Sequence, residues 1–219
     1  LRVEYPLLKV DFIGNSLDLD NFDEETRGKI IIDINLHKRI PKLPLENLCS
    51  RFDNFYPDSD SQRELLDSTR KLVQYTKGEK PAGIWVYGDP GLGKTHIGIG
   101  FMKELIKEGT IPHFFQHPSI WPKNFGLYKS PPHSIFVLDE LNNFSDVEKE
   151  VVFKEIFLNT YNTNGRMYVT GNVPIGSLID SAYLRPSEKK RYSDRIKKMF
   201  KVIEVKGNGS RKEAEWLNN

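Results

Sequence analysis

The sequence predicts an α/β fold in which a parallel sheet is flanked by helices on both of its faces. Short apolar segments of β-forming residues alternate with longer amphipathic segments along most of the 219 residues, which is the order that βαβ units require. The apolar segments show little polar alternation, as expected of strands that are buried on both faces. A glycine-rich segment joins one of these strands to the helix that follows it.

The N-terminal region predicts a small β-containing unit of unknown role. Two short segments, 7–13 and 29–34, are rich in β-formers and are separated by polar, turn-forming residues. Two prolines within residues 41–44 restrict the backbone there and stop a strand or a helix from running through. We therefore expect a boundary that separates residues 1–44 from an α/β domain at residues 45–219.

The second part predicts helices and strands in alternation. Apolar residues at helical spacing predict the helices, the first of which has Ser61 as its expected N-cap. Gly109 is suited to the left-handed end of the second. In chain order the predicted elements are a helix at 60–77, a strand at 83–87, a helix at 94–107, strands at 111–116 and 134–138, a helix at 146–161, a strand at 166–170, helices at 174–181 and 186–200, and a strand at 201–206.

Composition excludes several classes of protein. The 32 Lys and Arg against 30 Asp and Glu give a net charge of +2, too small to hold a protein on nucleic acid by overall charge. One cysteine, Cys49, excludes an internal disulfide framework and a cysteine-rich zinc site. No apolar run approaches the roughly 18 to 20 residues of a membrane span, and no signal peptide is evident. We expect a cytoplasmic protein that does not contact a membrane.

Residues 88–95 fit the phosphate-loop (Walker A) pattern G-x-x-x-x-G-K-[ST], and they lie between a predicted strand and a predicted helix. Such a loop lets successive backbone N–H groups converge on phosphate oxygens, and the helix N-terminus adds its dipole. Lys94 is expected to bridge the β- and γ-phosphates of ATP, and Thr95 to hold Mg²⁺. The candidate nucleotide contacts are Gly88, Asp89, Pro90, Gly91, Leu92, Gly93, Lys94, Thr95 and His96. For His96, simple packing is the favoured interpretation.

Two further strands end in polar residues at the edge where open parallel sheets bind ligands. The apolar segment 135–138 is followed by Asp139 and Glu140, a Walker B pattern. We expect Asp139 to hold Mg²⁺ through water and Glu140 to orient and deprotonate the attacking water. Asn172, after the strand at 166–170, is a candidate for positioning that water. The alternative is an Asn at an ordinary strand-to-helix turn.

Charge is concentrated at the two ends of the chain. Residues 1–26 hold seven acids and two bases, and residues 185–201 hold eight bases and two acids. The basic segment includes Arg191 and Arg195, and an arginine delivered to the γ-phosphate of a neighbouring subunit accelerates hydrolysis by roughly 10³ to 10⁵. A solvated basic helix and a nucleic-acid contact are the alternatives for this segment.

Together these motifs resemble the AAA+ ATPases, and within them the bacterial helicase-loader and transposition-helper group of DnaC, DnaI and IstB, relatives of the initiator DnaA. The resemblance covers about residues 48–211. The segments that carry it are Arg51 to Phe55, Gly93 to His96, Asp139 and Glu140, Thr170 to Asn172, and Lys190 to Ile196.

The resemblance implies an ATPase with a P-loop AAA+ core and Mg²⁺ that acts in DNA replication or transposition. Its expected role is to load or remodel a replicative helicase or another nucleoprotein complex, with hydrolysis stimulated by a partner or by ATP-dependent homo-oligomerisation. Phe52 and Phe55 would line the adenine pocket, although core anchoring of their loop is equally open for Phe52. Asn172 would be the sensor-1 residue, and Arg195 the arginine finger with Arg191 as second candidate.

Two departures from the group's pattern bear on the partners. The segment between the strand near Phe115 and Ser134 is short and proline-rich, where the group carries a longer helical insertion that helps to contact single-stranded DNA. Single-stranded DNA therefore stays a candidate partner only. No helical lid domain is expected after Lys206. The alternative functions are a superfamily 3 helicase motor, as in viruses, and an adaptor that binds ATP without turnover.

Overall fold

The computed structural model describes residues 23–39, 50–75, 80–110, 112–115 and 134–207, and within them it contains a five-stranded parallel sheet. The strands are β1 (Ala82–Gly88), β2 (His113–Phe115), β3 (Ile135–Leu138), β4 (Arg166–Gly171) and β5 (Phe200–Val205). Their order across the sheet is β2-β3-β4-β1-β5, and every neighbouring pair is parallel. The predicted α/β fold with a parallel sheet is confirmed.

Helices cover both faces of this sheet. They are α1 (Glu24–Arg39), α2 (Asp60–Val73), α3 (Lys94–Lys107), α4 (Asp146–Val151), α5 (Leu158–Asn162), α6 (Ile175–Ser181) and α7 (Pro186–Met199). A π-helical segment, Val152–Phe157, joins α4 to α5, and a 3₁₀ turn, Leu141–Asn143, follows β3. Among the helices in the described ranges, none has both the length and the apolar character that crossing a membrane requires.

The core has two apolar layers because successive strand residues point to opposite faces. On β1, Ile84 and Val86 pack into the layer that contains α2 and α3. Trp85, between them, packs into the layer that contains α6 and α7. All three side chains are buried, as the unbroken apolar sequence predicts for a strand covered on both sides.

The strand predicted at 29–34 is wrong, because these residues lie within α1. Asp23 stabilises the start of this helix, since its carboxylate accepts hydrogen bonds from the Thr26 backbone N–H (2.9 Å) and hydroxyl (2.8 Å). Ile30 and Asp33, three residues apart on one helical face, are both buried. Packing of that face therefore outweighs the β preference of the isoleucines. The strand predicted at 7–13 and the boundary at 41–44 lie outside the described residues.

The other predicted elements are present with ends that differ by a few residues. Ser59, not Ser61, caps α2, since its hydroxyl accepts a hydrogen bond from the Gln62 backbone N–H. Gly109 adopts a φ of +73° just after α3. This is the left-handed conformation expected at the end of that helix.

Candidate functional site

The phosphate-loop segment connects the end of β1 to the start of α3, as predicted. Gly88, Gly91 and Gly93 have φ values of 142°, 83° and 83°, in the region that favours glycine. A Cβ at Gly93 would also collide with the Phe55 ring, and one at Gly88 would collide with the Val205 carbonyl. The glycines of the motif are therefore required by this backbone path.

Lys94 begins α3 and lies over this loop. Its Nζ donates to the carbonyl oxygens of Gly88 and Asp89, each at 2.7 Å. Burial lowers the pKa of Lys94, and the nearby carboxylates of Asp139 and Glu140 partly offset that effect. The ammonium group is thus held among the backbone groups of the loop.

Thr95 and Asp139, the two residues predicted to hold Mg²⁺, are in direct contact. Thr95 Oγ1 donates to Asp139 Oδ1 at 2.9 Å, although the two residues come from α3 and the end of β3. Asp139 is 1% exposed, and this burial raises the pKa of its carboxyl group, while hydrogen bonds from Thr170 and Thr95 act in the opposite direction. A hydroxyl and a carboxylate are oxygen donors of the kind that Mg²⁺ prefers, so these residues fit the predicted ion.

Glu140 follows directly and has an unusual backbone. Its φ of 52° and ψ of 47° lie in the left-handed helical region, which side chains with a Cβ seldom adopt. The Glu140 N–H donates to Thr170 Oγ1 at 2.8 Å, and Asn143 Nδ2 donates to Glu140 Oε2 at 2.8 Å. Both the backbone and the carboxylate of Glu140 are therefore held by neighbouring side chains.

Asn172 lies at the same edge of the sheet, just after β4. Its backbone N–H donates to Asn142 Oδ1 at 3.0 Å, and its side chain is exposed. Asn172 shares with Gly88 and Asp89 the lining of a cavity of about 550 Å³. The structure thus brings the third predicted motif beside the phosphate loop.

The segment that carries Phe52 and Phe55 packs along α3. Phe52 is 8% exposed and belongs to the hydrophobic core, where it contacts Gly100 closely. The Phe55 ring lies against His96, with the ring centroids 5.4 Å apart. His96 Nε2 lies 2.9 Å from the Arg51 carbonyl oxygen and 3.0 Å from Asn54 Oδ1, two acceptors, so it donates to both. His96 therefore ties this segment to the helix of the phosphate loop.

Arg191 and Arg195 are not gathered with the other candidates. Both lie in α7, whose C-terminal end leads into the start of β5, whereas the phosphate loop follows the end of β1. The Arg195 guanidinium stacks 5.3 Å over the Tyr161 ring. Its Nη1 is buried with no hydrogen-bond partner among the described residues. Arg191 is exposed, with its guanidinium 5.3 Å from the Tyr192 ring centroid.

Three polar residues of the site, Thr170, Asn142 and Asn143, were given no role from the sequence, although Thr170 lies in one of the segments that carry the resemblance. Thr170 is hydrogen-bonded to both Asp139 and Glu140, Asn143 to Glu140, and Asn142 to Asn172. Thr170 is at the carboxyl end of a buried apolar strand, a position that could have drawn attention to it. The two asparagines lie in a turn just after Glu140 and carry no pattern of their own.

Comparison with known proteins is informative at the level of structure. Neither a family model nor a curated protein sequence matches this chain. A crystal structure of DnaI has a TM-score of 0.63 to it at 21% identity, with 78% of this chain and 95% of that chain covered. For the DnaC helicase loader the TM-score is 0.58 at 22% identity, with 74% and 100% covered.

The replication initiator DnaA bound to AMPPCP and single-stranded DNA is also similar. Its TM-score is 0.51 at 18% identity, and the match covers 75% of this chain and 52% of that chain. The strands around the phosphate loop thus belong to a fold that is already known from solved structures. This chain has the fold of the DnaI and DnaC structures, so the fold that the resemblance implied is confirmed.

Proposed function

We propose that this protein binds ATP together with Mg²⁺ and hydrolyses the γ-phosphate. The observation that carries the proposal is the hydrogen bond between Thr95 and Asp139, which joins the phosphate loop to the acidic end of β3. Glu140 follows Asp139, and Asn172 lies beside the same loop. A phosphate-binding loop, oxygen donors for Mg²⁺ and a carboxylate for water are the parts that phosphoryl transfer to water needs.

Each residue has a separate part in this proposal. Lys94 and the loop N–H groups bind the phosphates, and Thr95 and Asp139 hold Mg²⁺, which neutralises charge on the phosphates when it is bound. Glu140 takes the proton of the attacking water, and Asn172 orients that water. Phe55 and His96 lie beside the phosphate loop, where they would contact the adenine base of ATP.

The role that best fits the fold is that of an ATP-dependent switch which loads or remodels a replicative helicase or a related nucleoprotein. Support comes from the structural similarity to a helicase loader, DnaC, and to DnaI. DnaA, of the same fold, is bound to AMPPCP and single-stranded DNA in its structure, so single-stranded DNA is a second candidate partner. Stimulation of ATP turnover by either partner is the expected sign of this role.

Lys94→Ala is expected to weaken binding of AMPPCP with Mg²⁺ by about 10- to 150-fold. The reason is that hydrogen bonds to a charged group contribute about 1.5 to 3 kcal/mol, and Lys94 supplies the only ammonium group in the loop sequence 88–95. Isothermal titration calorimetry measures the dissociation constant. Lys71→Ala, which removes an exposed lysine of α2, is the matched control and should leave the affinity unchanged. Equal affinity of the Lys94 variant and the control would refute the site.

Arg195→Ala and Lys94→Ala proteins, each inactive alone, are expected to hydrolyse ATP when they are mixed. Because α7 leads into the start of β5 whereas the phosphate loop follows the end of β1, a role of Arg195 as a finger requires the site of a neighbouring molecule and release of its guanidinium from Tyr161. Phosphate release by the mixture should exceed the sum of the separate samples. Arg191→Ala tests the second candidate, and Arg70→Ala, at an exposed arginine of α2, is the control. A mixture no more active than its components would refute an arginine finger in trans.

A further inference from the structure

One buried hydroxyl links the two acidic residues of the site. Thr170, in β4, is 1% exposed. Its Oγ1 donates to Asp139 Oδ1 at 2.7 Å and accepts a hydrogen bond from the Glu140 backbone N–H at 2.8 Å. The same oxygen atom is therefore bonded to the side chain of one acidic residue and to the backbone of the other.

The backbone of Glu140 needs such support. The left-handed conformation at φ 52° is disfavoured for a residue with a Cβ, so the surroundings must hold it. The Glu140 carbonyl oxygen accepts from the Asn143 N–H at 2.9 Å, which closes the following turn. Its N–H is directed to Thr170. Because the carboxylate projects from this residue, its direction depends on the conformation that these two bonds fix.

We propose that Thr170 is a positioning residue for hydrolysis and acts through Glu140. Its hydroxyl holds the Glu140 peptide in the left-handed conformation and so sets where the carboxylate meets the attacking water. This inference rests on the proposed function, because it concerns the same reaction. Thr170 itself touches neither ATP nor water in this scheme.

The hydroxyl is separable from the fold. The backbone pairs of β4 with β1 and β3 do not involve the Thr170 side chain, and valine matches threonine in shape. Asp139 also accepts a hydrogen bond from Thr95, a residue that the change at position 170 does not alter. Thr170→Val therefore deletes both hydrogen bonds of this hydroxyl, to Glu140 and to Asp139, whereas Thr170→Ser retains them. The pair of variants separates the effect of the hydroxyl from the effect of packing.

The test compares Thr170→Val, Thr170→Ser, Glu140→Gln and the double variant Thr170→Val with Glu140→Gln. We expect Thr170→Val to lower kcat at least tenfold, with KM and the calorimetric Kd for Mg²⁺-AMPPCP within threefold of wild type. Thr170→Ser should restore kcat to within threefold. In single-turnover assays, adding Thr170→Val to Glu140→Gln should cause no further loss, because both changes affect one carboxylate.

Each other outcome has a definite meaning. A tenfold rise in the AMPPCP Kd with Mg²⁺, but not without it, would show that Thr170 acts through Asp139, and the inference would be overturned. An additive loss in the double variant, or a wild-type kcat for Thr170→Val, would overturn it as well. Wild-type turnover of Glu140→Gln would instead overturn the proposed mechanism of hydrolysis. If Thr170→Val does not fold by circular dichroism, Thr170→Ala replaces it in the same comparison.

Discussion

Glu140→Gln is expected to lower the rate of ATP hydrolysis by about 10²- to 10⁴-fold, the usual contribution of a general base. The amide has the size of the carboxylate but cannot take the proton of the attacking water. Neither Lys94 nor Thr95 is changed, so Mg²⁺-ATP should stay bound with an affinity within a few fold of wild type. Phosphate release at saturating ATP and titration calorimetry with AMPPCP measure the two quantities.

Glu155→Gln is the matched control for this variant, because Glu155 is an exposed glutamate on the π-helical segment, outside the site. Its turnover should equal that of wild type. Equal turnover of the Glu140 variant and this control would show that another group takes the proton. An adaptor that binds ATP without hydrolysing it would be recognised at once, because the wild-type protein would release no phosphate.

Asp33→Asn is expected to lower the free energy of unfolding by about 3 to 5 kcal/mol, as typically follows when one partner of a buried ion pair is removed. Asp33 of α1 is 1% exposed and is paired with Arg51 and with Lys103 of α3, whose Nζ lies 2.7 Å from its Oδ1. Without the carboxylate, the buried cations of Arg51 and Lys103 lose the negative charge that both of them contact. Urea denaturation followed by circular dichroism measures the change.

Asp67→Asn serves as the control for this prediction. Asp67 is an exposed carboxylate of α2 whose ion pair with Arg70 spans 3.9 Å, and exposed pairs of this kind contribute at most about 1 kcal/mol. The two variants change the same chemical group at sites that differ in burial. Similar losses of stability in both would contradict the interpretation that burial makes Asp33 important for the fold.

The sequence predicts most of the fold because its information is local. The phosphate loop is a continuous pattern, and apolar spacing separates α3 from the strands on either side of it. The prediction of a strand at 29–34 is wrong for the opposite reason, because the conformation of these residues depends on contacts with residues far away in the sequence. Three consecutive isoleucines favour a strand on their own, but Asp33 pairs with Lys103 only when these residues are helical and packed on α3.

In the site, too, local patterns predict some residues, whereas the roles of others depend on contacts between distant parts of the chain. Thr95, Asp139 and Glu140 belong to recognisable patterns, and the structure brings the first two into contact. The importance of Thr170 depends on the register of β4 beside β3, where Leu138 pairs with Val169, and no spacing within either strand specifies that register. The position of Arg195 away from the phosphate loop likewise depends on the tertiary fold. The C-terminal end of α7 leads into the start of β5, whereas the phosphate loop follows the end of the parallel strand β1.

The order of the strands also has a consequence for how the chain folds on the ribosome. β1 lies between β4 and β5 in the sheet, but both of these strands are synthesised long after it. Until they emerge, the backbone of β1 has no neighbouring strand to pair with, and Trp85 lacks the residues of α6 and α7 that cover it. Contacts between distant parts of a chain form slowly, and unpaired apolar strands promote aggregation in the meantime. We therefore expect nascent chains of this protein to be prone to aggregation until β4 and β5 have been synthesised.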